Sequence, residues 1–136
     1  MVIELQERPK NPIIIEGFPG FGFVSTIATE FLIKHLGAKK IGRISVPKIT
    51  PLAAIKNCEV LDPLEIYYDK KTNILILRAL TGVSGVEWEI AAVISELANQ
   101  LKAKEVLSIE GISSEKETKE PKVFFYTNQK SQKLEK

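Results

Sequence analysis

Apolar residues fall into short runs and helical spacings over most of the chain. Ile13-Ile14-Ile15 is a β-branched run between Pro12 and Gly17, the mark of a strand buried on both faces, as in parallel sheets. Gly17-Phe18-Pro19-Gly20-Phe21-Gly22 follows as a turn. Val24, Ile27, Ala28, Phe31, Leu32 and Leu36 then recur at helical spacing, which predicts an amphipathic helix with these six on its apolar face. Gly37 stands where a left-handed C-terminal cap is expected, and Lys34 and His35 suit the dipole in the last turn. Ile41 to Val46 reads as the next strand, completing a βαβ unit.

The middle is strand-rich. Ala53–Lys56, Leu64–Tyr68 and Ile74–Leu77 are short apolar runs, and the polar Asp69–Asn73 connection makes the last two a hairpin. A second helix is expected from about Ser84 to Lys102, with Ser84 and Glu87 at capping-box spacing. Val86, Ile90, Val93, Ile94, Leu97 and Leu101 form its buried stripe. Val106–Ile109 is a further strand. Beyond Gly111, Ser113–Lys122 reads as a solvated loop, Val123-Phe124-Phe125-Tyr126 as an edge strand, and Asn128–Lys136 as a polar tail. The whole predicts one α/β domain over 1–136, with a mixed, mainly parallel central sheet flanked by helices.

Composition narrows the chemistry. The chain has 136 residues, one His (His35) and one Cys (Cys58), which excludes an intramolecular disulfide and a metal centre built from several His and Cys. The formal net charge is +2, and 16 Lys against 3 Arg leave no footprint for nucleic acid or an anionic membrane. No segment has the form of a targeting signal or a membrane span, which places the chain in the cytoplasm by default. The dominance of Lys and Glu over Arg and Asp resembles hyperthermophile composition.

The Gly-rich turn is the most informative candidate site. It precedes a helix N-terminus, where free N–H groups attract anions. Gly17 and Gly22 have the outer spacing of a phosphate loop, but Phe23 and Val24 stand where Lys and Ser or Thr are required. Its three aromatic side chains, Phe18, Phe21 and Phe23, suit a protein contact better than a phosphate cradle. Three readings stay open: a structural turn, a protein interface, and a ligand site using Glu16, Gly17, Gly20, Gly22 and Glu110.

Glu16 and Glu110 each end a buried strand, in the repeated triplets Ile15-Glu16-Gly17 and Ile109-Glu110-Gly111. If those strands are neighbours, the carboxylates sit close and shift each other's pKa. The plainer reading is that each Glu caps a turn. Nucleophilic catalysis has little support. Ser25, Ser84 and Ser113 lack a G-x-S-x-G context, and His35 lies at the wrong end of its helix for a triad. Cys58 reads as a passive small side chain. Trp88, beside Glu87, falls off the second helix's core stripe, as an interface anchor or a cover for the neighbouring loop.

Residues Ile14 to Val24 with their G-F-P-G-x-G turn, Lys40-Ile41-Gly42, Tyr67 and its hairpin, and Leu101 to Gly111 together resemble the proteasome-assembling chaperone 2 family, over about Pro12 to Gly111. The resemblance implies a nucleoside-phosphorylase-like α/β fold, no known catalysis, no cofactor, and homo-oligomers that bind proteasome core particle subunits. Some members end in a hydrophobic–tyrosine–any tail. Here the end is Leu134-Glu135-Lys136, with Glu135 in place of Tyr. Members also continue past the strand near Tyr126, so against the family the sheet looks incomplete at its C-terminal side. The expected function is a non-catalytic assembly chaperone or interaction domain, with a small-ligand or hydrolase-type domain as the alternative.

Overall fold

The computed structural model describes residues 1–49, 52, 54–113 and 120–128. Its main sheet has six strands: β1 (Val2–Leu5), β2 (Ile13–Gly17), β3 (Lys39–Ser45), β6 (Leu64–Asp69), β7 (Ile74–Ala79) and β8 (Glu105–Ser108). They are ordered β1-β3-β6-β7-β2-β8. A separate two-stranded ribbon pairs β4 (Ala54–Lys56) with β5 (Glu59–Leu61). Helix α1 spans Val24–Leu36 and α2 spans Glu87–Leu101.

The mixed α/β class holds, but the sheet is less parallel than expected. β1, β3, β6 and β7 pair antiparallel, and parallel pairing is confined to β7-β2-β8. β6-β7 is a tight hairpin, β3 reaches β6 through the segment that carries β4 and β5, and β1 reaches β3 across β2 and α1, whereas a parallel pair needs a long crossover, and two α-helices are present among the described residues. β1 is an addition to the sequence reading: the charges Glu4 and Glu7 mask a strand whose partner, β3, lies some forty residues away.

The two sheet faces are unlike. Alternation along each strand sends Ile14, Leu64, Ile66, Leu75, Leu77 and Ala79 to one face, where Val86, Ile90, Val93, Leu97 and Leu101 cover them. This α2 side is the hydrophobic core. The opposite face carries Gly17, Arg78, Glu65 and Tyr67, and α1 lies over β2 and β7 there.

α1 departs from expectation. The residues it buries are Ser25 and Thr29. Of its six predicted apolar-face residues, Val24, Ile27 and Phe31 are exposed. The cause is Gly17. A Cβ there would stand 2.9 Å from both Ser25 Cβ and Thr29 Cγ2, so the helix approaches the sheet more closely than side chains allow. Only small residues fit that contact. Ser25 Oγ donates to the Phe18 carbonyl, and Thr29 Oγ1 donates to the Ser25 carbonyl at 3.0 Å. The C-terminus of α1 is as predicted, with Gly37 at φ 64° and its N–H returned to the last turn.

At α2 the capping box does not form. The helix starts at Glu87 with Val86 as its N-cap, and Ser84 lies outside it. Glu87 still reaches back, with Oε2 accepting from the Gly85 N–H at 2.9 Å. The expected strand at Val123–Tyr126 is also absent: these residues are exposed and make no ladder. Residue type favours a strand there, but a strand exists only through a partner, and among the described residues β8 is the last strand on that side of the sheet. Thr50, Pro51, Ala53, residues 114–119 and the 129–136 tail lie outside the described residues. Among the described residues no helix is long and apolar enough to cross a membrane.

Candidate functional site

The parallel trio β7-β2-β8 places three strand carboxyl ends along one rim of the sheet. That rim carries the expected site residues: Glu16 and Gly17 at the end of β2 and Phe18 to Phe23 after it, Glu87 and Trp88 beyond β7, and Glu110 after β8.

β2, which carries Glu16, and β8, which leads into Glu110, are neighbours, and the Ile109 N–H donates to the Glu16 carbonyl at 3.0 Å. Burial raises the Glu16 carboxyl above its ordinary value, a Ser108 hydrogen bond opposes this, and the Glu110 charge adds to the rise. Glu16 Oε2 is buried with no hydrogen-bond partner. Glu110 is exposed, and a Cβ on Gly20 would lie 3.5 Å from its Oε2. The two carboxylates therefore flank the Gly-rich loop, where they repel an anion.

A raised native pKa fixes the sign of a pH effect. The native state holds the Glu16 proton more tightly than the unfolded chain, so this group's contribution to stability falls as pH rises from the ordinary Glu range through the native value. Glu16→Gln removes that loss. Denaturant midpoints for the variant should exceed those of the parent at neutral pH and converge with them in acid.

The aromatic residues divide. Phe18 is half-buried and packs on the α2-side core. Phe21 and Phe23 are each 62% exposed, and Trp88 is 87% exposed. Gly17 is buried under α1 and lines no open site, while Gly20 and Gly22 are exposed. The loop ends in two successive left-handed residues, Gly22 at φ 65° and Phe23 at φ 53°. Glycine adopts that conformation freely, but for Phe it costs about 1–3 kcal/mol. Phe23 thus occupies a position that neither backbone preference nor burial recommends. The Phe21 carbonyl sits against Gly111, where a Cβ would overlap it, so the β2 and β8 loops are held in contact.

One feature escaped the sequence. Register aligns Arg78 of β7, Glu65 of β6, Arg43 of β3 and Glu4 of β1 in a single row of alternating charge beside Gly17. Glu65 and Arg78 are fully buried and paired with each other, and Arg78 Nη1 also donates to Glu30 on α1 at 2.6 Å. Lys40 bridges Glu65 (2.7 Å) and Asp62 (2.6 Å), Arg43 joins Glu4 and Asp62, and Lys56 of the ribbon holds Glu30 at 2.5 Å. Tyr67 donates to Glu65 at 3.0 Å and lies under the Arg78 guanidinium; burial pushes its hydroxyl up to about 12. Burial also pushes the Glu65 carboxyl up, but hydrogen bonds from Lys40, the Asp62 N–H and Arg78 outweigh it, and the net direction is down. This network ties α1 and the ribbon to the sheet. The members lie far apart in sequence, and only strand register brings them together.

Comparison with known proteins places this arrangement among relatives. The model of the PAC2 family matches residues 14–136. Pyrococcus furiosus PbaA, described as an archaeal homolog of proteasome-assembly chaperone, superposes with a TM-score of 0.71 at 33% identity, over 86% of this chain and 53% of its own. P. furiosus PbaB, described as an archaeal proteasome activator, gives 0.65 at 28% identity, over 84% of this chain and 54% of its own. An uncharacterized protein of Methanocaldococcus jannaschii is 41% identical over 66 residues, 48% of this chain and 28% of that protein. The chain spans about half the length of the solved structures it resembles.

Proposed function

The chain belongs to the PAC2 family, and on that premise we propose that it is a non-catalytic assembly chaperone or interaction domain that binds subunits of the proteasome core particle in the cytoplasm. The similarity to PbaA and PbaB supports the partner class. Phe23 carries the reading: an exposed aromatic side chain is held at φ 53° beside exposed Phe21, on the rim that also bears Trp88. Folding alone favours glycine at Phe23, so the side chain is explained by what it touches outside the fold. Phe21, Phe23 and Trp88 are of the type that anchors interfaces, with Glu87 beside them as a polar rim residue.

The direct test is a pull-down with proteasome α and β subunits. Failure to recover either, where full-length PbaA recovers them, overturns the proposal. Two variants sharpen it. Trp88→Ala should weaken binding by about 2 kcal/mol, roughly thirtyfold in Kd, at unchanged stability. Phe23→Gly should separate two readouts: binding falls, while stability is unchanged or rises by about 1 kcal/mol as the backbone strain is relieved.

The small-ligand reading rests on one observation, the buried and unpartnered Glu16 Oε2. The adjacent Glu110 and the buried Gly17 count against an anion, and the ligand such a site suits is a neutral or cationic hydrogen-bond donor. Calorimetric titration with small amines that leaves the Glu16→Gln variant as responsive as the parent would dispose of it.

A further inference from the structure

The amino ends of β2, β7 and β8 form the rim of the sheet opposite the Gly-rich loop. Four segments meet there, residues 6–12, 34–40, 69–73 and 101–104, and both helices end in it. Together they carry nine Lys and Arg against two acids, Glu7 and Asp69, so a net charge of +2 for the whole chain conceals a strongly basic end. All nine cations are exposed. The helix dipoles account for Lys34 and Lys102, which close the two helices. They do not account for Arg8, Lys10, Lys39, Lys70 or Lys71, which stand on strands, loops and a turn. Pairing also sets these cations apart. Arg43, Lys48, Lys56 and Arg78 each hold a carboxylate elsewhere in the fold. At the basic rim Lys40 and Lys70 do so, and the other seven of the nine make no ion pair among the described residues. Both acids are engaged: Glu7 holds Lys70 at 3.0 Å, and Asp69 Oδ2 accepts from the Thr72 N–H at 3.0 Å and hydroxyl at 2.7 Å. Unpaired cations gathered on one end repel one another, a cost to the fold that a bound anion offsets.

A cleft of about 640 Å³ opens on this rim between Gln6, the end of α1 and the turn that joins β6 to β7. Lys39, Lys70 and Lys71 line it beside Leu36, Ile41 and Tyr68. Register sets Lys39 opposite Tyr68, just before Lys70 and Lys71, which brings the three lysines together. We propose that this basic rim docks a carboxylate-rich segment of a protein partner, with Lys39 and Lys71 as its charge contacts and the cleft holding an apolar side chain. The rim itself selects that chemistry over nucleic acid. Eight of the nine cations are Lys, and Arg, which grips phosphate bidentately and stacks on bases, occurs there once. Glu7 and Asp69 also line the cleft, where they repel a phosphate chain charged at every unit. A peptide sets its carboxylates at the lysines and an uncharged residue against Leu36 and Ile41.

The basic rim and the aromatic rim lie at opposite ends of the strands. A chain that binds core subunits but no acidic peptide would overturn this surface and leave the proposed function standing. The experiment is fluorescence anisotropy of the full chain with a labelled oligoglutamate peptide bearing one central Leu, at low and at physiological salt. A labelled oligonucleotide of equal charge is the competing probe. The variants are Lys39→Glu, Lys71→Glu and Lys48→Glu, the last making the same charge change near the other rim. All three lysines are exposed, so their replacement leaves the core intact, and circular dichroism confirms folding. The parent should bind the peptide more tightly than the oligonucleotide, and more weakly as salt rises. Lys39→Glu and Lys71→Glu should each weaken peptide binding by about tenfold, whereas Lys48→Glu should weaken it by less than about twofold. A parent that binds no peptide at low salt, a loss from Lys48→Glu as large as from Lys39→Glu, or tighter binding of the oligonucleotide each overturns the proposal.

Discussion

Arg78→Ala is expected to destabilise the fold by about 3–5 kcal/mol, the largest effect of any single substitution on the α1 side. Arg78 is 3% exposed and Glu65 0%, so removing the guanidinium leaves a carboxylate in the interior with Lys40 as its one remaining cationic partner among the described residues. The same change frees Glu30, which then holds α1 to the ribbon through Lys56 but no longer to the sheet. Urea denaturation at neutral pH measures the loss. The Glu65 carboxyl is held below its ordinary value, so the stabilisation it supplies is present above the ordinary Glu range and is lost as pH falls through the lowered native value. The penalty of Arg78→Ala should therefore shrink on acidification. A penalty that is constant with pH would mean that the side chain acts by filling space. In a double-mutant cycle, Arg78→Met with Glu65→Leu should cost less than the sum of the singles, by about 0.5–3 kcal/mol.

Leu97→Ala should cost about 2–5 kcal/mol, whereas Phe31→Ala should change monomer stability by no more than about 0.5 kcal/mol. Leu97 is fully buried in the α2-side core, so truncation leaves a cavity among packed neighbours. Phe31 is larger and equally periodic in sequence but 63% exposed. The contrast, read from denaturant midpoints at a concentration that keeps both variants monomeric, tests the opposite roles of the two helices. A large loss from Phe31→Ala under those conditions would place α1's apolar stripe inside the fold.

Local chemistry made much of the molecule legible. Ile13–Ile15, Leu64–Tyr68 and Ile74–Leu77 read as strands because short β-branched and aliphatic runs between Pro, Gly and polar turns have few other outcomes. Gly37 announced the end of α1 because a left-handed residue there favours glycine. The stripe of α2 was recovered nearly whole, since its partner is an ordinary apolar sheet face. The Glu16–Glu110 approach was readable up to one condition, the adjacency of their strands, which the structure meets. The failures were non-local. β1 and β5 are too short, each with a Glu in a run of three or four residues, to declare themselves without β3 and β4, and Val123–Tyr126 has strand chemistry but no ladder.

What the sequence determined by itself is both helices, the strands with clear apolar runs, and the rim where the conspicuous residues gather, because turns, caps and periodicity act over a few neighbours. Tertiary structure alone decided which side of α1 is inside. Periodicity shows that α1 is apolar on one side but not which side meets the sheet. Gly17, by admitting the helix too closely for any large side chain, turned that face outward and left Ser25 and Thr29 beneath it. Register likewise made a charge row of Glu4, Arg43, Glu65 and Arg78, buried at Glu65 and Arg78, which in sequence are four unremarkable polar positions. Burial and pairing depend on partners distant along the chain, and they exist only once the strands are laid side by side.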